Sequence, residues 1–176
     1  MKNRLFWLVA FVSIAVDLTT KYIIFRTIPC AEDGEALKAV VPIAQGILSF
    51  TCKYNEGAGF SLCSGDSCRW ILPWLSMAVS LGLAIYGYRR TIPLIWERAG
   101  YGFILGGAFG NGVERVLFQK VLDFVQIFPE TSLPILNAPF PIFNVADICI
   151  NLGVICLLVS FLLNPNESPP DSRQQA

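Results

Sequence analysis

The segment spanning residues 143–163, FNVADICINLGVICLLVSFLL, is long and apolar enough to cross a membrane as a helix, yet it carries Asp147 near its start. A second carboxylate, Asp123, lies in the apolar stretch VLDFVQIF. An ionisable group at the bilayer centre costs about 2.5 kcal/mol or more, so such groups are usually functional or paired inside the protein. If the two carboxylates meet across a helix pair, they form a candidate acid/base couple. The structural alternative is that each caps a helix or bonds to neighbouring backbone.

The composition indicates a membrane protein. Of 176 residues, 54% are hydrophobic and 15% are charged, and the mean hydropathy is +0.56. These values predict a small integral membrane protein with a single domain, residues 1–163. The formal net charge is zero, so the chain has no electrostatic footprint for nucleic acid. It has no histidine and no CxxC pair with zinc spacing, so we expect neither a metal nor a cofactor.

Four stretches have the length and apolar content of membrane helices: about 5–25, 70–88, 95–113 and 143–163. The first resembles a signal peptide, but no small-x-small cleavage site follows it. It also contains Asp17 and Lys21, which lie one turn apart on one helix face. The third is rich in glycine, which lets neighbouring helices approach closely. The predicted fold is an all-α membrane protein, a four-transmembrane-helix bundle.

Basic residues predict how this bundle is oriented. They cluster before the first span and in the short loop between the second and third spans: Lys2, Arg4, Arg89, Arg90 and Arg98. Cytoplasmic loops carry such an excess of Lys and Arg, so we expect both termini and this loop in the cytoplasm. The polar, proline-rich segment 164–176 is predicted to be a disordered cytoplasmic tail.

The two longer loops are then predicted to face outward. Within residues 26–69, GILSFTCKYN alternates apolar and polar side chains, which is typical of a strand, so we expect a small β-rich lobe on the outer, periplasmic face. Residues 117–142 contain four prolines and are expected to add an irregular segment. An outward loop lies in an oxidising compartment, so at least one disulfide is predicted, Cys63–Cys68 or Cys30–Cys52, with free thiols as the alternative.

Five short segments carry polar residues that helix packing does not require: DLTTK (17–21), YNEGAGF (54–60), GGAFGNGVER (106–115), VLDF (121–124) and FNVAD (143–147). Buried amides need hydrogen-bond partners. The asparagines, Arg115 and the two carboxylates therefore predict a polar cluster at one end of an apolar bundle. A purely structural polar cap is the alternative.

The order and content of these five segments resemble the lipoprotein signal peptidase (signal peptidase II) family, over nearly the whole chain from Asp17 to Asp147. Members of that family are aspartyl proteases of the bacterial inner membrane. They remove the signal peptide from diacylglyceryl-modified prolipoproteins by cutting just before the lipid-bearing cysteine. The resemblance implies that Asp123 and Asp147 are the catalytic pair. It implies prolipoprotein and membrane lipid as partners, and an active site near the outer face.

The resemblance also implies substrate-binding or site-supporting roles for a further set of residues: Asp17, Lys21, Asn55, Gly57, Asn111, Arg115 and Asn144. Glu114 departs from the family pattern, because it stands where the family usually has aspartate, and it keeps the acid on a longer side chain. In the expected mechanism the two aspartates hold a water between them, and one pKa is raised. A coupled pair titrates as a unit, so the sequence does not assign acid and base.

A small proton-coupled transporter or channel is the alternative function, because intramembrane acids and glycine-rich helices occur there too. Two features of the sequence speak against it. The chain shows no repeated halves, and its two acids fall at predicted span ends rather than in mid-membrane.

Overall fold

The computed structural model describes residues 3–57, 66–128, 132–133 and 138–164. Four long helices correspond to the four predicted spans: α1 (Arg4–Thr27), α2 (Asp66–Arg89), α3 (Ile95–Phe118) and α4 (Val145–Leu163). Three of them, α1, α4 and the part of α2 from Trp70, are long and apolar enough to cross a membrane. The helix α3 is not among the helices that meet these criteria of length and apolar composition, so a fourth membrane span at α3 stays a prediction.

Helix α3 lies at the centre of the bundle and packs against the other three helices. Its glycines make this possible. A Cβ added at Gly106 would collide with Ser13 of α1, and one added at Gly107 would collide with the backbone carbonyl of Ala146 in α4. The close approach expected from the glycine-rich segment is therefore present. It brings the polar residues near the carboxyl end of α3 next to both neighbouring helices.

A three-stranded antiparallel sheet, in the order β1-β2-β3, lies at one end of the bundle. Strands β1 (Val40–Ala44) and β2 (Leu48–Asn55) fall within the predicted β-rich lobe. The third strand, β3 (Val121–Ile127), contains Asp123, so the expectation that the two aspartates meet across a helix pair is wrong. Within the third loop the structure also has a short pair, β4 (Ser132–Leu133) and β5 (Ala138–Pro139).

The sheet is attached to the bundle by apolar packing and by a disulfide. Ile24 and Ile28 at the end of α1 pack against Leu122, Phe124 and other buried side chains of the sheet. This contact fixes β3, and with it Asp123, against the end of α1.

The disulfide joins Cys30 to Cys52 of β2, which confirms the prediction of at least one disulfide. Next to it, the backbone of Ala31 bonds to Cys52 and Tyr54, so the segment after α1 is also held by β2. Cys63 lies outside the described residues, and so do residues 165–176 of the predicted tail.

Candidate active site

Asp147 is placed by the first turn of α4. Asn144 is the N-cap of the helix, and its side-chain Oδ1 accepts a hydrogen bond from the backbone N–H of Asp147 at 3.1 Å. In return, the backbone N–H of Asn144 donates to Oδ2 of Asp147 at 3.1 Å. This reciprocal arrangement is a capping box, with aspartate at its third helical position. The structural alternative for Asp147 is therefore correct in part, because one carboxylate oxygen does cap a helix.

Asp123 lies in the middle of β3, where its side chain is 4% exposed. Two side-chain amides donate to it: Asn55 Nδ2 to Oδ2 at 2.9 Å and Asn144 Nδ2 to Oδ1 at 2.7 Å. Burial, followed by the negative charge of Asp147, raises the pKa of Asp123 from 3.8 to about 7, against the lowering effect of the two amides and of Lys21. The carboxyl group is therefore able to hold a proton near neutral pH.

Two asparagines connect the carboxylates. Asn144 Nδ2 donates to Asn111 Oδ1 at 3.0 Å, and Asn111 Nδ2 donates to Asp147 Oδ1 at 2.9 Å. A continuous path of hydrogen bonds thus runs from Asp123 through Asn144 and Asn111 to Asp147. These residues come from β3, the start of α4 and α3, so the path exists only in the folded bundle.

A buried ion cluster lies behind this path. The ammonium group of Lys21, 4% exposed, is 2.8 Å from Asp17 Oδ2 and 2.7 Å from Glu114 Oε2, and it donates to Asn111 Oδ1 at 3.0 Å. The pairing of Asp17 with Lys21 that their spacing predicts is present. Asp17 Oδ1 also accepts from the backbone N–H of Ala146 at 2.9 Å, so the cluster joins α1, α3 and α4 around the site.

Arg115 and Gly57 hold the turn that carries Asn55. Arg115 Nη2 donates to the carbonyl of Gly57 at 3.1 Å, and the N–H of Gly57 donates to Asn55 Oδ1 at 2.9 Å. Asn55 is thereby turned so that its amide nitrogen faces Asp123. Residues 58–60 of the segment YNEGAGF lie outside the described residues.

A cavity of about 530 Å³ opens at the two aspartates. Its polar end is lined by six of the predicted site residues: Asn55, Asn111, Arg115, Asp123, Asn144 and Asp147. Asp17, Lys21 and Gly57 do not line it and contact the site from behind. The rest of the wall is mainly apolar, from residues after β5 and from one face of α4.

Sequence reasoning missed one polar residue of this cavity, Asn151, which lies on the wall formed by α4. Its signal in the sequence is simple. Asn151 follows Asp147 by four residues in an otherwise apolar helix, so it shares a helix face with that carboxylate.

Comparison with known proteins identifies the family. The model of the family described as signal peptidase (SPase) II matches residues 9–163. The chain belongs to the signal peptidase II family. The family resemblance drawn from five short motifs is thus confirmed, and the chain is classed with the hydrolases that act as proteases in lipoprotein processing.

Individual relatives agree over nearly the full length. The lipoprotein signal peptidase of Microcystis aeruginosa is 42% identical, over 96% of this chain and 98% of that protein. That of Nostoc sp. is also 42% identical, over 95% of each. A solved structure described as a bacterial membrane enzyme shares the fold of this signal peptidase II homologue, with a TM-score of 0.71 at 23% identity, over 93% of this chain and 90% of that one.

Proposed function

We propose that this signal peptidase II homologue is an aspartyl endopeptidase that removes the signal peptide from lipid-modified bacterial prolipoproteins, cutting just before the diacylglyceryl-cysteine. The observation that carries the proposal is the path Asp123–Asn144–Asn111–Asp147 at the polar end of an otherwise mainly apolar cavity. The carboxyl groups of Asp123 and Asp147, at the polar end of the cavity, act as the acid and the base in hydrolysis of the peptide bond. The apolar wall suits a signal segment and its lipid.

The protonation of the pair supports acid/base chemistry. The pKa of Asp123 is raised to about 7 by burial and by the charge of Asp147, so Asp123 is able to hold a proton near neutral pH. One carboxylate is then free to act as a base while the other carboxyl group acts as an acid.

The reaction proceeds in two steps. The ionised carboxylate takes a proton from a water, whose oxygen attacks the scissile carbonyl carbon, while the protonated carboxyl group gives its proton to the carbonyl oxygen. The tetrahedral intermediate then collapses: the C–N bond breaks, the first carboxyl group gives its proton to the leaving amine, and one hydroxyl of the intermediate returns a proton to the second carboxylate as the carboxylic acid product forms. No metal or cofactor takes part in this scheme.

The polar side chains around the pair orient the reactants. Asn55 and Asn144 direct their amides at Asp123, and Asn111 directs its amide at Asp147. Arg115 lines the same cavity with a rigid set of donors that suits a carbonyl oxygen of the substrate. Asp17, Lys21 and Glu114 support this arrangement from behind and do not contact the cavity's substrate space.

The proposed setting is the inner membrane of a bacterium, with four spans, cytoplasmic termini and the site near the outer face. Two contacts support this orientation. Asn3 Nδ2 donates to the carbonyls of Gly87 and Arg90, so the amino terminus and the basic second loop lie at the same end of the bundle. The site is near Lys21, at the opposite end of α1.

The experiment compares two synthetic precursor peptides that differ only in the diacylglyceryl group on the cysteine. Purified full-length protein is incubated with each peptide, and the products are identified by mass. We expect a single cut before the cysteine in the lipid-modified peptide. Cleavage at another bond, equal cleavage of both peptides, or no cleavage would contradict the proposal.

A further inference from the structure

Asn151 is an exposed amide on the most apolar of the candidate spans. It lies four residues after Asp147, and therefore about 6 Å further along the axis of α4 on the same face. Its neighbours on the cavity wall, Ile148, Leu152 and Ile155, are all apolar. Polar side chains in membrane segments are costly and normally face the protein interior or a water-filled cavity. Asn151 faces the cavity of the aspartate pair.

Only part of this amide is used within the protein. Asn151 Nδ2 donates to the backbone carbonyl of Asp147 at 2.9 Å, a bond made with one of its two hydrogens. Within the part of the chain that the structure describes, the second hydrogen and Oδ1 have no protein partner. The side chain therefore presents a donor and an acceptor to the cavity, one helical turn away from the reacting groups.

A signal segment that enters the site from the membrane has backbone carbonyls that need hydrogen-bond donors. Such a segment is apolar and helical in the bilayer, and the last four carbonyls of a helix have no partner within it. The backbone has to leave the helix before the scissile bond, because a carbonyl bonded within the helix is shielded from attack. The unpaired carbonyls then lie about one turn, 5.4 Å, from the aspartates. In hydrocarbon each unpaired group costs several kcal/mol.

We propose that Asn151 is a substrate-binding residue that donates a hydrogen bond to an unpaired backbone carbonyl of the signal segment, in the turn preceding the scissile bond. The inference rests on the proposed function and specifies how that substrate is held. One polar contact on an apolar wall fixes how far the peptide advances, and so which bond reaches the aspartates.

The test measures KM and kcat for the lipid-modified precursor peptide. Asn151→Leu replaces the amide with an apolar group of the same branched shape, and leucine is well tolerated in membrane helices, so we expect the variant to keep its fold. We expect KM to rise about tenfold, as befits the loss of one hydrogen bond to an otherwise unpaired carbonyl, with kcat within about twofold of the wild type.

A matched control exists at the other end of α4. Asn164 Nδ2 donates to the carbonyl of Ser160 at 3.2 Å, the same kind of bond to the residue four positions earlier, but far from the cavity. Asn164→Leu is expected to leave both constants unchanged.

Ester-containing substrates identify the contact directly. In each of four substrates, an ester replaces one of the four peptide links before the scissile bond. An ester carbonyl is a weaker hydrogen-bond acceptor than the amide carbonyl that it replaces. One of these esters should raise KM for the wild type and have no effect on KM for Asn151→Leu.

Three results would overturn the inference: an unchanged KM in Asn151→Leu, a loss confined to kcat, or ester effects that are equal in both proteins. A loss confined to kcat would mean that Asn151 positions Asp147, through its hydrogen bond to the backbone carbonyl of Asp147. Any of these results with normal cleavage by the wild type leaves the proposed function intact. Absence of wild-type cleavage would overturn both.

Discussion

Asn144 contacts both carboxylates of the pair: its side-chain Nδ2 lies 2.7 Å from Asp123 Oδ1, and its backbone nitrogen lies 3.1 Å from Asp147 Oδ2. The same residue begins the helix that carries Asp147. The cap and the contact with Asp123 use different atoms of one side chain, since Oδ1 caps the helix and Nδ2 reaches the strand. Substitutions at this position therefore separate the cap of α4 from the contact with Asp123.

The first prediction concerns Asn144→Ser. Serine is as good an N-cap as asparagine, so we expect Asn144→Ser to melt at a higher temperature than Asn144→Ala, while both variants lose the buried amide donor to Asp123 and Asn111. Serine has no amide to donate to Asp123, so kcat should fall about tenfold or more because the carboxyl group is no longer held in position. Asn144→Ala should lose the same activity and also about 1 kcal/mol of stability. A serine variant with wild-type kcat would show that the contact with Asp123 is dispensable.

The second prediction concerns the buried ion cluster. Lys21→Met leaves Asp17 and Glu114 without their cation, and breaking a buried pair in this way costs about 3–5 kcal/mol. Lys38→Met is the control, because Lys38 pairs with Glu35 at 3.6 Å with both side chains about half exposed, where a pair contributes about 0–1 kcal/mol. Thermal unfolding in detergent measures both. Equal melting temperatures for the two variants would contradict the structural role of the cluster.

Asp17→Asn should be milder than Lys21→Met. The asparagine still has an oxygen that accepts from the backbone N–H of Ala146, as Asp17 Oδ1 does now. Lys21 also keeps its contact with Glu114. The same unfolding measurement orders the two variants.

The sequence predicts the helices well and the sheet only in part. The spans are visible because a run of about 20 mostly apolar residues is typical of a membrane helix, and β2 is visible because its side chains alternate. Strand β3 does not alternate: Val121, Leu122, Asp123 and the three residues after it are all buried. A short, mainly apolar run does not distinguish a strand from a helix segment, which is why the sequence does not predict that Asp123 lies on a strand.

The candidate site shows the same division. The motifs predict that Asn55, Asn111 and Asn144 belong to a polar cluster, because polar residues in apolar surroundings need hydrogen-bond partners. The motifs do not predict which residues form hydrogen bonds with one another. Asn55 contacts Asp123 only because β2 pairs with β3, and these strands are far apart in the chain. Asn151 was missed because one amide in an apolar helix carries no motif of its own.

The third prediction is a pH dependence of stability. The pKa of Asp123 is raised from 3.8 to about 7 in the folded protein, so its contribution to stability is fully present below about pH 4 and is lost as the pH rises through 7. The span of this loss is about 4 kcal/mol. Asp123→Asn cannot ionise, so its melting temperature relative to the wild type should increase between pH 4 and pH 8. A constant difference across this range would contradict the raised pKa.

The fourth prediction concerns the disulfide. Cys30 and Cys52 are 22 residues apart, and a bond closing a loop of this size contributes about 3 kcal/mol. Reduction should therefore lower the melting temperature of the wild type. The double variant Cys30→Ser/Cys52→Ser should start at the lower value and respond much less to reductant. Mass mapping without reduction should recover Cys30 and Cys52 in one linked peptide, and recovery of both as free thiols would refute the pairing.

The most direct test of the central claim is cleavage of the lipid-modified precursor by Asp123→Asn and Asp147→Asn. Asparagine has nearly the same volume and stays polar, but it does not transfer the proton, so each variant should lose a factor of about 100 to 10,000 in turnover while remaining folded. Asp33→Asn makes the same chemical change at an exposed site and should retain wild-type turnover. If either Asp123→Asn or Asp147→Asn keeps most of its activity, the two aspartates are not the catalytic pair.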